Sequence, residues 1–153
     1  NVPTAIDIGR KLEPYNIHWF EEPIPPNNFE GLAEVRRSIK IAVAAGERIY
    51  NRHQFRSFLE MKSADYPQPD VSHTGLGELR KMAAMAESHH LPICPHNPSG
   101  PVANAATLQV AACSPTFYLL ETMATDVPNR SLVVQESLHF ENGRMSIPDI
   151  PGC

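Results

Sequence analysis

The chain has 153 residues, of which 42% are hydrophobic and 20% are charged, and its formal net charge is -4. A chain of this length can enclose one hydrophobic core. The acidic balance and the lack of any basic run argue against nucleic acid or an anionic membrane surface as the partner. The longest apolar runs are too short to cross a bilayer.

The three cysteines give an expectation about the compartment. Cys94, Cys113 and Cys153 do not have the spacing of metal ligands, and an odd number cannot form a complete set of disulfides. We therefore expect reduced thiols and a cytoplasmic protein.

Short apolar stretches alternate with amphipathic stretches along most of the chain. The apolar residues of the amphipathic stretches recur at helical spacing, and the short stretches have the length of buried strands. In chain order, the predicted elements are a helix over 3–13, a strand over 17–20, a helix from about 29, a strand over 41–45, a helix around 55–59, a weaker strand over 66–69, a helix around 79–86, a strand over 91–94, an alanine-rich helix over about 101–113 and a strand over 117–120.

The predicted strands begin at a regular interval. Their first residues are 17, 41, 66, 91 and 117, so the steps are 24, 25, 25 and 26 residues. Apolar strands that alternate with amphipathic helices are typical of a parallel α/β sheet covered by helices. The regular step favours a (β/α)₈ barrel of the TIM type, with an open doubly wound sheet as the alternative. A dinucleotide site is disfavoured because no G-x-G-x-x-G loop is found.

The sequence predicts two regions. Residues 1–122 contain about five βα units, and since a closed barrel needs eight strands, we interpret them as the C-terminal portion of a (β/α)₈ barrel whose other units precede residue 1. Residues 123–153 predict an extended tail, with apolar stretches at 133–134 and 138–140. The Asn142-Gly143 pair is a strong hairpin signal within this tail.

An ionisable residue follows each predicted strand. Successive members of this set are 26, 23, 26 and 25 residues apart, one repeat each, which is not expected of ordinary surface charges. Because strand carboxyl ends share one face of a barrel, we expect the five side chains to meet there. They are Glu21, Glu47, Asp70, His96 and Glu121.

Glu21 and Glu47 are the candidate metal ligands. They follow adjacent strands, and two carboxylates that face one point make an oxygen-rich site of the kind that Mg²⁺ prefers. The alternative is that each is a solvated rim residue or pairs with Arg48 or Arg52.

Asp70 and His96 are the candidate catalytic pair. A carboxylate that holds one ring nitrogen fixes the tautomer and leaves the other nitrogen as a base. The alternative is a buried histidine that the aspartate satisfies for structural reasons. Glu121 can hydrogen-bond a developing enolate oxygen, orient the substrate, or close the rim by pairing with an arginine.

Two further residues are candidate substrate contacts. Arg48 directly follows Glu47, and its alternative role is an ion pair with a glutamate. His73 lies in the loop beyond Asp70, where polar residues are mostly solvated.

The motifs at the strand ends resemble those of the mandelate racemase/muconate-lactonizing branch of the enolase superfamily. Within that branch they are most similar to the sugar-acid dehydratases of the galactonate dehydratase kind. The matching motifs are Trp19-Phe20-Glu21-Glu22-Pro23, Gly46-Glu47-Arg48-Ile49-Tyr50, Gln68-Pro69-Asp70-Val71-Ser72-His73, Pro95-His96-Asn97-Pro98-Ser99-Gly100-Pro101 and Leu119-Leu120-Glu121.

The resemblance implies roles for individual residues. Glu21 and Glu47 match the second and third carboxylate ligands of the family's Mg²⁺, and the first would fall shortly before Asn1. His96 matches the base, Asp70 its partner, and Glu121 the acid that ends the last strand. The tail resembles the segment that returns to a capping domain. One departure is Tyr66-Pro67, because a proline inside a strand lacks the N–H of a ladder bond.

The implied function is abstraction of the proton alpha to a carboxylate, with Mg²⁺ stabilising the enolate. Dehydration of a sugar acid (an aldonate) to a 2-keto-3-deoxy acid is the first expectation. Racemisation or epimerisation of a 2-hydroxy acid is the alternative on the same scaffold, and an inactive, truncated barrel portion is the non-enzymatic one. We expect a small carboxylate substrate and a homo-oligomeric parent enzyme.

Overall fold

The computed structural model describes residues 1–123, 132, 134 and 138–149. In this part of the chain the helices are α1 (Val2–Leu12), α2 (Phe29–Ser38), α3 (Arg52–Glu60), α4 (Val71–Thr74), α5 (Leu76–Ser88) and α6 (Pro101–Ala112). The strands are β1 (Trp19–Glu21), β2 (Ala42–Ala45), β3 (Tyr66–Pro67), β4 (Phe140–Glu141) and β5 (Arg144–Met145). Helix α1 continues into a 3₁₀ turn over Glu13–Tyr15.

Asparagine and aspartate side chains set where the helices begin. Asn28 accepts a hydrogen bond from Gly31 N at the start of α2, and Asn51 accepts from two backbone N–H groups at the start of α3. Asp70 does the same for α4. Such caps satisfy the first N–H groups of a helix, which have no partner within it. The caps of α3 and α4 lie a few residues beyond β2 and β3, so these helices begin close to the strand ends.

The first three strands form a parallel sheet in the order β1-β2-β3. Trp19 of β1 pairs with Ala42 of β2, and Ala44 of β2 pairs with Tyr66 of β3. Parallel neighbours joined through helices are the βα units that the regular spacing predicts. The predicted α/β fold, a portion of a TIM-type barrel, is confirmed.

The last two predicted barrel strands do not form ladders. They meet in one parallel bridge between Ile93 and Phe117. Hydrogen bonds nevertheless continue the sheet, from Cys94 N to Pro67 O (3.0 Å) and from Tyr118 N to Ile93 O (3.0 Å). Proline flanks the fourth strand segment at positions 92 and 95, and since proline has no N–H, the ladder is interrupted on both sides.

Pro67 also changes the pairing of β3. Asp65 N donates to Val43 O (2.8 Å), and the next donation to β2 comes from Gln68 N to Ala45 O (3.0 Å). Gln68 thus supplies the bond that Pro67 cannot make, and the ladder bond whose loss the sequence predicts is replaced one residue later.

The helices bury their apolar stripes against the outer face of the sheet. The predicted stripes of α3 and α5 are confirmed, because their apolar residues are 3% exposed or less. Burial of each large apolar side chain contributes about 1.5–3 kcal/mol. The stripe residues are Phe55, Phe58, Leu59, Leu79, Met82, Ala83 and Ala86.

The tail contains the predicted hairpin. Strands β4 and β5 are antiparallel, with Phe140 paired to Met145. Asn142 (φ 52°) and Gly143 (φ 73°) form the turn, and both have the positive φ that a two-residue hairpin turn requires.

Of the extended stretch predicted at 133–134, residue 133 lies outside the described residues. The division at residue 122 remains a prediction. None of the helices in the described ranges has the length and apolarity needed to span a membrane.

Candidate active site

The predicted site residues occupy the ends of successive strands. Glu21 is the last residue of β1, and Glu47 lies two residues beyond β2. Asp70 follows β3 and caps α4. His96 and Glu121 follow the fourth and fifth strand segments, where Glu121 N donates to Pro95 O (3.3 Å).

His96 is the centre of the site. Its Nδ1 atom lies 2.8 Å from Asp70 Oδ2, and its Nε2 atom lies 3.2 Å from Glu47 Oε2 and 3.8 Å from Glu121 Oε2. The His96 side chain is 15% exposed, so it is largely enclosed but open on one side. The structure therefore brings together four of the five predicted residues, His96, Asp70, Glu47 and Glu121, and their catalytic roles remain predictions.

Asp70 fixes the orientation of the imidazole. Its side chain is 2% exposed, and Oδ1 accepts a hydrogen bond from Ser72 N (2.6 Å) at the start of α4. The other oxygen, Oδ2, faces His96 Nδ1. An ionised carboxylate only accepts hydrogen bonds, so the ring donates from Nδ1 to Asp70 Oδ2, and Nε2 is the nitrogen that faces Glu47 and Glu121. The role of Nε2 as a base remains a prediction.

Glu22 is a member of the site that the sequence reasoning missed. Its Oε1 atom is buried without a hydrogen-bond partner in the described part of the chain, and its backbone φ is 40°. Burial, and next the charge of Glu47, raise the pKa of the Glu22 carboxyl, while Arg48 lowers it. The signal in the sequence was the second acid of the Glu21-Glu22 pair, which was given no role.

Arg48 lies between two of these carboxylates. Its Nε atom is 3.5 Å from Glu47 Oε1 and 3.8 Å from Glu22 Oε2. The Arg48 side chain is 61% exposed, and such open pairs contribute little to stability. Arg48 thus makes the ion pair that was the alternative to substrate binding, and its contact with substrate remains a prediction.

His73 supports the loop after β2. Its Nδ1 atom lies 2.8 Å from the Glu47 carbonyl oxygen, and its ring lies 5.2 Å from the ring of Tyr50. The contact links the loop after β2 to α4, since His73 lies in this short helix and not in a loop as predicted. Whether His73 touches substrate remains a prediction.

Glu21 lies apart from the His96 contacts. Its Oε2 atom accepts a hydrogen bond from Trp19 Nε1 (2.9 Å). No group of three or more acid, histidine or cysteine side chains within the described ranges has the arrangement of a metal site. That Glu21 and Glu47 bind a metal ion together remains a prediction.

Gly46 allows β2 and β3 to approach each other. Its φ is 130°, and a Cβ atom at this position would lie 3.1 Å from Gln68 N. Glycine adopts this backbone conformation without steric cost. The Gly-Glu-Arg motif thus places Glu47 directly after a position that only glycine fills without strain.

Asn97 is a second residue that the sequence reasoning missed. Its backbone N–H donates to Glu121 Oε2 (3.3 Å), and its Nδ2 donates to Asn104 Oδ1 (2.5 Å). Asn97 is fully buried. It ties the loop after His96 to α6 and to the Glu121 carboxylate. Nothing in the sequence separated it from an ordinary loop asparagine.

These features define a portion of a TIM-type barrel with an acid and imidazole site at the carboxyl ends of its strands. A family model described as "Enolase C-terminal domain-like" matches residues 1–153, and the chain belongs to this family.

The relatives of the chain include named enzymes. It is 34% identical over 150 residues to a D-xylonate dehydratase of Haloferax volcanii, a match that covers 97% of this chain and 36% of the relative. It is 43% identical over 109 residues to a D-galactonate dehydratase of Variovorax paradoxus, which covers 71% of this chain and 28% of the relative.

A solved structure shares the fold. The mandelate racemase/muconate lactonizing enzyme-like protein from Roseovarius sp. TM1035 is 35% identical, with a TM-score of 0.93, over 99% of this chain and 38% of that protein. The chain thus spans less than half the length of each of these three proteins.

Proposed function

We propose that the protein carrying this chain removes the proton alpha to the carboxylate of a sugar acid and expels the protonated beta-hydroxyl as water, and that the resulting enol tautomerises to a 2-keto-3-deoxy acid. The observation that carries the proposal is the arrangement around His96. Its Nδ1 atom is held 2.8 Å from Asp70, and its Nε2 atom lies among the carboxylates of Glu47 and Glu121.

Mg²⁺ fits the donor set at the strand ends. Glu21 and Glu47 offer hard oxygen ligands, and Mg²⁺ is commonly held by one or two carboxylates together with waters and substrate oxygens. The buried, unpartnered Oε1 of Glu22 is a further carboxyl oxygen of this acidic cluster. When bound, the metal ion would stabilise the charge that develops on the substrate carboxylate.

The protein side chains have distinct parts in the first step. His96 takes the alpha proton at Nε2, and Asp70 stabilises the imidazolium that forms, because Oδ2 accepts the Nδ1–H. Glu121 lies 3.8 Å from Nε2, close enough to touch a substrate atom placed there. Arg48 would contact the substrate from the loop after β2, and His73 would do so from α4.

Dehydration is favoured by the relatives, since both of those quoted above are named as dehydratases. A racemase or epimerase is the second candidate, because the similar solved structure is named after mandelate racemase and muconate lactonizing enzyme. Both reactions begin with the same proton abstraction, so the site favours neither.

A panel of aldonic acids with Mg²⁺ tests the proposal on the full-length protein. Formation of a 2-keto acid, followed by its absorbance as a hydrazone, is the expected result. Deuterium exchange at the alpha carbon without a keto product would support the racemase candidate. If neither exchange nor product appears with any acid, the proposed function is wrong.

A further inference from the structure

The hydrogen bond between Trp19 and Glu21 joins an aromatic ring to a candidate metal ligand. The indole Nε1–H of Trp19 donates to Glu21 Oε2 (2.9 Å). The two residues are the first and the last of β1, and alternate residues of a strand project from the same face of the sheet. Glu21 is exposed, and the bond takes up one of its two carboxylate oxygens, so the other can bind a cation.

Neighbouring rings keep the Trp19 indole in place. Its ring lies 5.2 Å from the ring of Tyr66 and 5.0 Å from the ring of His18. Tyr66 in turn stacks on Tyr118 at 5.7 Å. Rings at such distances attract each other beyond what their burial contributes. Because these contacts restrict the rotation of the indole, its N–H points in a fixed direction.

The small side chains of β2 allow the contact between Trp19 and Tyr66. Strand β2 lies between β1 and β3, where Ala42 pairs with Trp19 and Ala44 pairs with Tyr66. Strands β1 and β3 are therefore separated by roughly 10 Å, twice the spacing of neighbouring strands. The two rings meet across this distance because alanine is the residue between them.

Glu21 shares a cavity with a residue of the His96 site. The cavity has a volume of about 290 Å³, and Trp19, Glu21 and Glu121 are among the residues that line it. Glu121 Oε2 also lies 3.8 Å from His96 Nε2. The hydrogen bond from Trp19 thus fixes the Glu21 carboxylate at the wall of a cavity next to the candidate base.

We propose that Trp19 is a positioning residue, whose indole N–H fixes the Glu21 carboxylate in the orientation that binds Mg²⁺. The inference rests on the proposed function, which takes Glu21 as a metal ligand. A group that hydrogen-bonds a metal ligand restricts the orientation of that ligand, and its loss typically weakens metal binding by about 10- to 100-fold.

The test measures the Mg²⁺ affinity of the full-length protein by calorimetry in the absence of substrate. Trp19→Phe keeps an aromatic ring at this position and removes the N–H donor. We expect the wild type to bind Mg²⁺ and the Kd of Trp19→Phe to be higher by about tenfold or more. At one fixed Mg²⁺ concentration, the rise in Tm that the metal causes should be smaller in the variant.

Tyr66→Phe is the matched control for the ring cluster. It removes a polar group from a neighbouring ring and leaves the bond between Trp19 and Glu21, so its Kd for Mg²⁺ should equal that of the wild type. If Trp19→Phe does not fold, benzothienylalanine at position 19 replaces it. This analogue has the shape of tryptophan with sulfur in place of the N–H, and it should weaken Mg²⁺ binding to a similar extent.

Three results would overturn the inference. An unchanged Kd in Trp19→Phe would mean that the N–H does not act on a metal ligand, and an equal loss in Tyr66→Phe would mean that the ring cluster acts instead. A wild type that binds no Mg²⁺ would contradict it as well. If the wild type binds Mg²⁺ but forms neither an exchanged acid nor a 2-keto acid, the proposed function is wrong, and the Kd values still decide the role of Trp19.

Discussion

The buried carboxylate of Asp70 makes two hydrogen bonds at once, one with each oxygen. One oxygen caps α4 through Ser72 N, and the other holds His96 Nδ1. The cap makes the carboxylate rigid, because the start of a helix is itself fixed by the sheet. The imidazole then has one orientation, with Nε2 toward Glu47 and Glu121.

Asp70→Asn should separate the role of this residue as the cap of α4 from its role as the partner of His96. The amide keeps an oxygen for the cap of α4 but no longer stabilises an imidazolium, so we expect alpha-proton exchange to fall by about 10²–10⁴-fold. The midpoint of thermal unfolding should change little by comparison. A variant with unfolding and exchange rates both like those of the wild type would show that Asp70 is only a structural cap.

Cys94 gives a second test at the residue scale. Burial raises the pKa of its thiol to about 11, from an ordinary value of 9.0, whereas Cys113 is exposed. The thiolate is the reactive form, so at pH 8 iodoacetamide should modify Cys113 readily and Cys94 only after unfolding. Mass spectrometry of the alkylated protein measures both sites.

The same shift predicts a pH dependence of stability. Between about pH 9 and pH 11 the unfolded chain loses the Cys94 proton while the folded chain keeps it, so stability falls as the pH rises, by at most about 1.4 kcal/mol per unit. Cys94→Ala should remove this part of the slope in denaturant titrations. An identical slope in both proteins would contradict the prediction.

The candidate site residues were predictable because ionisable side chains recur at the same interval as the predicted strands. Glu47, Asp70 and His96 recur once per βα unit, and a parallel sheet brings such residues to one face. Glu22 and Asn97 were not predictable in this way. Their importance comes from buried atoms without a partner or from contacts with distant loops, and neither leaves a periodic signal.

At the scale of elements, α3 and α5 are joined by a carboxylate clamp. Glu78 on α5 accepts hydrogen bonds from Arg52 N (2.8 Å) and from the Arg52 guanidinium (2.7 Å) at the start of α3. The backbone N–H of Arg52, followed by its guanidinium charge, lowers the pKa of Glu78 despite an opposing effect of desolvation. The clamp holds α3, and with it the loop that carries Glu47.

Glu78→Gln should therefore destabilise the protein at neutral pH. Because the folded pKa is lowered, the stabilisation is present above the unfolded value of about 4.5 and is lost as the pH falls below it. The difference in Tm between variant and wild type should be largest near pH 7 and should shrink in acid. Calorimetric scans over this range measure it.

Glu60→Gln is the matched control for this clamp. Glu60 makes only an exposed i,i+4 pair with Arg56 (3.4 Å), and such pairs contribute little. Its Tm should follow that of the wild type at each pH. Equal effects of the two substitutions would show that α3 and α5 are not specifically clamped.

The helices were easier to predict than the last strands. A stripe such as Phe55, Phe58 and Leu59 repeats over whole turns and is confirmed in place. The strand segments at 91–94 and 117–120 have the predicted direction, yet pair through one bridge. Apolar residues indicate where a buried strand lies. The length of its ladder depends on backbone N–H donors, and proline has none.

At the scale of the whole molecule, the described barrel portion carries the candidate site residues at five successive strand ends. The parallel order of β1, β2 and β3 places the ends of these strands at one edge of the sheet. The quoted dehydratase relatives are more than twice as long as the matched segment. The proposals on activity and substrate therefore concern the protein that carries this chain.

The most direct test of the central claim is deuterium exchange at the alpha carbon of an aldonate, followed by NMR in D₂O with Mg²⁺. We predict exchange by the full-length wild-type protein, its loss in His96→Asn, and its loss on chelation of the metal. Exchange that persists in a folded His96→Asn variant would contradict the assignment of His96 as the base.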